Sequence, residues 1–128
     1  MELAKRFKDG EPLQTRQIAE QQQIPDRYLE QLMGILRQQG LVKSQRGAKG
    51  GYLLGREPWQ ISLLDVILAM EGKVSTSKIG NQSIESLVLS EIWQKARQEA
   101  YQIFQDCTLQ DLCDQRDAQA QSSITYYI

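Results

Sequence analysis

Three patterns in this sequence predict a mainly α-helical chain with one small β-hairpin. Apolar residues recur at helical spacing, most clearly Leu29, Leu32, Met33 and Leu36, at the i, i+3, i+4, i+7 positions of an amphipathic helix. Between residues 41 and 54 two short apolar runs flank the basic, glycine-rich segment Arg46-Gly47-Ala48-Lys49-Gly50-Gly51, the pattern of two strands and a tip. From residue 83 to 105 the chain carries a broad apolar stripe, from Ile84 and Leu87 through Ile92 and Trp93 to Ile103 and Phe104. At about 1.5 Å per residue that is one helix of roughly 33 Å, with more apolar surface than a single small domain needs.

Residues 1–8 place Leu3, Ala4 and Phe7 at the spacing of a helix end, and Asp9-Gly10-Glu11-Pro12 closes it with turn chemistry. Thr15 is the expected cap of a short helix reaching about Gln22, with Ile18 and Ala19 facing inward. Gln23-Ile24 reads as a tight turn. Pro25 suits the first turn of the next helix, where its missing N–H is no loss. That helix runs to about Gln39, and Gly40 stops it. Leu41 to Gln45 and Tyr52 to Leu54 are the two strands. Two close helices followed by a hairpin form a winged helix-turn-helix, the hairpin being the wing. Glycines let the wing tip adopt positive φ and approach a groove closely.

After the wing, Pro58 and Trp59 start a connector and Ile61 packs inward. Ser62 caps an apolar helix through Met70 that ends at Gly72 and belongs in the core. Thr108 caps a last helix reaching about Arg116, with Asp111 as its capping partner. The organisation expected is a winged helix-turn-helix domain at 1–72, a polar loop at 73–82, dimerisation helices at 83–118, and a tail at 119–128. The tail ends in Ile124, Tyr126, Tyr127 and Ile128 and is either disordered or docked on a partner subunit.

The net charge of −1 conceals an asymmetry. Residues 1–60 hold 10 Lys/Arg and 7 Asp/Glu, a net of +3, whereas residues 61–128 hold 5 and 9, a net of −4. The first half suits phosphate contact and the second suits protein contact. Two cysteines, Cys107 and Cys113, and no histidine leave no zinc-type ligand spacing. No apolar run spans a membrane and no signal-peptide pattern is present, so a cytoplasmic location without membrane contact is expected. The wing tip is no phosphate-binding nucleotide loop. It lacks both G-x-G-x-x-G and the P-loop ending, and it joins strand to strand.

Tyr28-Leu29-Glu30-Gln31-Leu32, Gly40-Leu41-Val42 and Ser44-Gln45-Arg46-Gly47-Ala48-Lys49-Gly50-Gly51-Tyr52 together resemble the Rrf-two family of bacterial winged-helix regulators. The likeness continues at Ile61 to Val66, at Glu71-Gly72 and at Thr108 to Leu112. It implies a transcriptional regulator that binds double-stranded DNA as a homodimer joined by the long helix. One recognition helix per subunit would enter a major groove, with the wing near a minor groove. Carried over by position, Arg27, Tyr28, Glu30 and Gln31 face the DNA, Arg46 is the wing arginine and Lys49 lies beside it. Thr15 joins this set at the start of the first helix of the motif. The chemistry is consistent: Arg reads guanine or enters a narrow minor groove, Glu accepts from cytosine, and Gln pairs with adenine. The plain alternative is a solvated charge pair between Arg27 and Glu30.

Two departures from the family pattern stand out. The family's opening helix begins earlier, so the first helix here is expected to be shortened, at a cost in core packing and DNA affinity. Cluster-binding members place three cysteines in the loop before the long helix. Here residues 72–85 hold no Cys or His, and Ser90 stands near the place of a histidine ligand. No cofactor is therefore expected, an iron–sulfur cluster included. Cys107 and Cys113 are expected to be buried structural thiols. A thiol redox sensor is the alternative, but Asp106, Asp111 and Asp114 surround them where an activated thiol needs cations. Without histidine or a catalytic constellation the chain is not read as an enzyme. The competing non-DNA function is a dimeric protein-interaction module of the same fold.

Overall fold

The computed structural model describes residues 1–71 and 83–127. The expected loop at 73–82, the helix-stopping Gly72 and the terminal Ile128 lie outside the described residues, as do the side chains of Ile124, Tyr126 and Tyr127. The elements are α1 (Glu2–Lys5), α2 (Thr15–Gln22), α3 (Asp26–Gln38), β1 (Val42–Gln45), β2 (Gly51–Leu54), a 3-10 turn (Pro58–Gln60), α4 (Leu63–Glu71), α5 (Ile84–Asp106) and α6 (Leu109–Tyr127). This mainly helical chain with a β-hairpin wing has the architecture expected from the sequence.

The helix ends follow local chemistry. The residue capping α2 is Gln14 rather than Thr15, which is the first helical residue. The Gln14 backbone N–H donates to the Gln17 side-chain oxygen at 3.1 Å, closing the turn reciprocally as a capping box does. Gln23 ends α2 in the left-handed conformation (φ 54°), and the Ile24 N–H reaches back to the Ala19 carbonyl at 3.0 Å. The expected turn at Gln23-Ile24 is this left-handed cap. Pro25 precedes α3 as its cap, and its carbonyl accepts from Leu29 N–H at 3.0 Å. Gly40, at φ 76°, lets the Leu41 N–H return to Leu36 O at 3.0 Å.

The wing is an antiparallel pair with Val42 opposite Leu54, Lys43 opposite Leu53, Ser44 opposite Tyr52 and Gln45 opposite Gly51. A third segment joins it: Leu13 bridges Tyr52, with backbone hydrogen bonds of 2.9 Å and 2.7 Å in the two directions. Leu13 and Ile61 are fully enclosed, and around them lie Ile18, Ala19, Leu29, Met33, Leu41, Val42 and Leu54. No charged or polar side chain is buried among the described residues, so this core gains the hydrophobic term without paying for an unpaired polar group.

Two elements differ from the sequence expectation. The helix capped by Ser62 was expected to sit in the core, but α4 buries only Ala69, and Leu68 is exposed. The last helix continues past Arg116 to Tyr127. Its first turns lie in the core of the winged domain, where Leu109 and Cys113 are buried against α1 and the 3-10 turn.

Candidate nucleic-acid interface

Helix α3 has two faces because its residues alternate at helical spacing. Leu29 and Met33 are buried on one side. On the other, Arg27, Tyr28, Glu30 and Gln31 are all exposed, Tyr28 at 57%. Tyr28 therefore lies on the solvent side of α3 and takes no part in the core. Arg27 forms no ion pair with Glu30 or with any other acid among the described residues. The solvated charge pair weighed from the sequence is therefore not formed, and both side chains are available for contact.

The wing tip is also exposed. Arg46 and Lys49 point into solvent and pair with no acid among the described residues. The turn is closed by Gly50 N–H donating to Gly47 O at 2.9 Å. Gly47 sits at φ 116° with open space around it, so its requirement is conformational. Gly51 serves a different purpose. A Cβ there would lie 2.5 Å from the Leu13 carbonyl oxygen, so this glycine lets β2 pack against the Leu13 segment. Lys43 is a further exposed cation, on β1 beside the buried Val42. Arg16, exposed on α2, is tied to Glu20 at 3.3 Å. Thr15 is half-buried at the start of α2.

A second surface lies on α5, which buries no residue in the single chain. Ser83 caps it, its hydroxyl accepting from Ser86 N–H at 3.2 Å. Ile84, Leu87, Val88, Ile92, Trp93 and Ile103 are all exposed, Trp93 at 65%. Near its C-terminal end the Tyr101 hydroxyl donates to a Glu71 carboxylate oxygen on α4.

A cavity of about 570 Å³ opens between α1, α3, α4 and α6, and its lining is apolar but for Glu2, Gln22 and Arg116. Cys113 is buried, Cys107 is half-buried, and both are free thiols. Among the described residues no helix is long and apolar enough to cross a membrane.

Residues 1–115 match the Rrf2 family, described as an iron-dependent transcriptional regulator. The chain is 36% identical over 126 residues to the HTH-type transcriptional regulator CymR of Bacillus subtilis, covering 98% of this chain and 89% of that one. It is 38% identical over 107 residues to the putative HTH-type regulator slr0846 of Synechocystis, covering 81% and 73%. Among solved structures it is similar to IscR of T. potens, with a TM-score of 0.71 and 36% identity over 90% of this chain and 77% of that one. The solved structure of CymR, the global cysteine regulator of B. subtilis, is similar with a TM-score of 0.70 and 38% identity over 88% of this chain and 85% of that one. These named relatives are transcriptional regulators, not enzymes.

The donors present do not fit a family-type iron–sulfur centre. Such clusters need several thiolates or close substitutes. This chain has two cysteines and no histidine, one of the cysteines is enclosed in the core, and no three His, Cys, Asp or Glu side chains group as metal ligands among the described residues. The family match over residues 1–115, the relatives above 30% identity and the winged fold agree: this chain belongs to the Rrf2 family of transcriptional regulators.

Proposed function

We propose that the chain reads double-stranded DNA in the cytoplasm as a homodimer, with the first turns of α3 in a major groove and the wing tip at a neighbouring minor groove. One observation carries this reading: Arg27, Tyr28, Glu30 and Gln31 share the exposed face of α3, and Arg27 has no acidic partner among the described residues. Gln31 is suited to adenine, Glu30 to a cytosine amino group, and Arg27 to guanine or phosphate. Arg46 and Lys49, which pair with no acid among the described residues, bring positive charge to a slender tip, which a narrow, negative minor groove attracts. Thr15, at the α2 start, is placed for a phosphate contact that positions the unit without reading sequence.

The second copy covers the apolar face of α5. A 23-residue helix with no buried residue leaves far more apolar surface in water than a monomer tolerates. The DNA-reading unit is then α1 to α4 together with the first turns of α6, where Leu109 and Cys113 join its core, rather than residues 1–72 alone, and α5 is the dimerisation helix. The enclosed Cys113 gives less support to a thiol sensor than to a structural role.

The test is an anisotropy titration of the intact chain against the duplex upstream of its own gene and a scrambled duplex, at two salt concentrations. Selective binding that weakens with salt is expected. A dimer without selectivity at low salt would instead identify the protein-interaction module.

A further inference from the structure

Ser62 and Thr108 face each other in an isolated antiparallel bridge. The Leu63 N–H donates to Cys107 O at 2.7 Å, and the Leu109 N–H donates to Ile61 O at 2.9 Å. Each bridge residue also opens a reciprocal cap. Asp65 N–H donates to Ser62 Oγ at 3.0 Å, and Ser62 N–H donates to Asp65 Oδ2 at 2.9 Å. Asp111 N–H donates to Thr108 Oγ1 at 3.1 Å, and Thr108 N–H donates to Asp111 Oδ2 at 3.0 Å. Two capping boxes thus stand back to back, and α4 and α6 start from one backbone joint. Beneath it Ile61 is fully enclosed and Leu109 is buried.

Helix α5 runs directly into this joint. Its last residue is Asp106, and the next carbonyl, that of Cys107, is one of the two bridge acceptors. The helix of the dimer face is therefore pinned by its C-terminal end to the start of α4, within the reading unit. Capped helix starts and paired backbone groups resist bending, because each rotation breaks hydrogen bonds in a partly buried setting.

We propose that this joint is a positioning device: Ser62, Asp65, Thr108 and Asp111 hold the dimerisation helix at a fixed angle to the DNA-reading unit and thereby set the half-site spacing the dimer accepts. The proposal rests on the dimeric DNA reading proposed above. The lever is long. At about 1.5 Å per residue α5 spans roughly 34 Å, so a tilt of about 10° at the joint moves its far end by about 6 Å. That displacement approaches two base-pair steps of about 3.4 Å each. A dimer of rigidly held units accepts one spacing, because half-site separation mirrors the protein's geometry. A dimer with a loose joint accepts several.

The test uses the full chain and a series of duplexes in which the two half-sites of its own upstream operator are moved apart or together by one and two base pairs. A duplex with one half-site and a light-scattering mass complete the set. The intact chain is expected to lose roughly ten-fold or more in affinity at a wrong spacing, comparable to a mismatched base pair. The double variant Thr108→Ala, Asp111→Ala is expected to lose most of that discrimination while its half-site affinity and dimer mass stay unchanged. The conservative Thr108→Ser, which keeps the capping hydroxyl, is expected to retain it. The single variant Thr108→Ala covers the case in which the double variant does not fold, and an intermediate loss is expected from it. Unchanged spacing discrimination in a folded cap-deleted variant would overturn the proposal, as would half-site affinity falling in step with operator affinity. An intact chain that binds no duplex selectively would overturn the DNA-reading proposal itself, a different result from selective binding without spacing preference.

Discussion

Single side chains in this protein separate into those that hold the fold and those offered to a partner. Leu13 is fully enclosed, and its backbone pairs with Tyr52 in both directions. Leu13→Ala is expected to lower stability by about 2–5 kcal/mol, the range for deleting a buried leucine side chain, as measured by denaturant unfolding. Arg46 is the opposite case, exposed and unpaired among the described residues. Arg46→Ala is expected to change stability by no more than about 0.5 kcal/mol, to weaken DNA binding, and to reduce the log–log salt slope by about 1. Unchanged DNA affinity would show that the wing does not touch DNA. Tyr101 offers a spectroscopic handle. Its hydrogen bond to Glu71 raises the phenol pKa above the usual 10.0, partial burial and the negative carboxylate add to this, and Arg97 opposes it. Because the folded value is raised, the contact is fully present below pH 10 and is lost as pH climbs through the raised value. An alkaline absorbance titration is expected to show one late-ionising tyrosine that returns to the ordinary range in Glu71→Ala.

Among the elements, legibility followed periodicity. α3 and the wing were readable because each repeats a pattern over several residues: Leu29 and Met33 are buried on one helix face, and the glycines sit between two strands. The caps at Ser62 and at Thr108-Asp111 were readable because those residue types at a helix start have a local mechanism, whereas the Asp65 partner of Ser62 comes from the structure. The Leu13 bridge was not, since one residue pairing across the fold leaves no repeat in the chain. Gln14 was missed as the α2 cap because glutamine lies outside the usual capping set. The extension of α6 beyond Arg116 carries no periodic signal, because residues 117–123 (one Asp, then Ala, Gln and Ser) hold no apolar stripe. α4 was misplaced for a different reason: its apolar composition signals burial, but the chain by itself leaves Leu68 in water. At the candidate site on α3 the residue types were legible. What the sequence left open was whether Arg27 and Glu30 neutralise each other, which only their relative placement decides. On α5, Ile92→Glu places a charge at the centre of the exposed apolar face. It is expected to convert a dimer into a monomer that keeps its helical circular dichroism, as read by light scattering. A dimer of unchanged mass would move the interface elsewhere.

The chain as one object divides its charge as it divides its contacts. The excess of cations lies in residues 1–60 and the excess of acids in residues 61–128, so the part proposed to face phosphate is positive although the net charge is −1. The capped joint at Ser62 and Thr108 lies within the acidic part and ties the start of α4 to the end of α5 and the start of α6. The proposed function depends on two reading units pairing on one duplex, and the mass of the protein–DNA complex tests that most directly. Sedimentation of the intact chain with the duplex upstream of its own gene is expected to give two chains per duplex, with no comparable complex on a scrambled sequence. One chain per duplex, or equal complexes on both sequences, would contradict it.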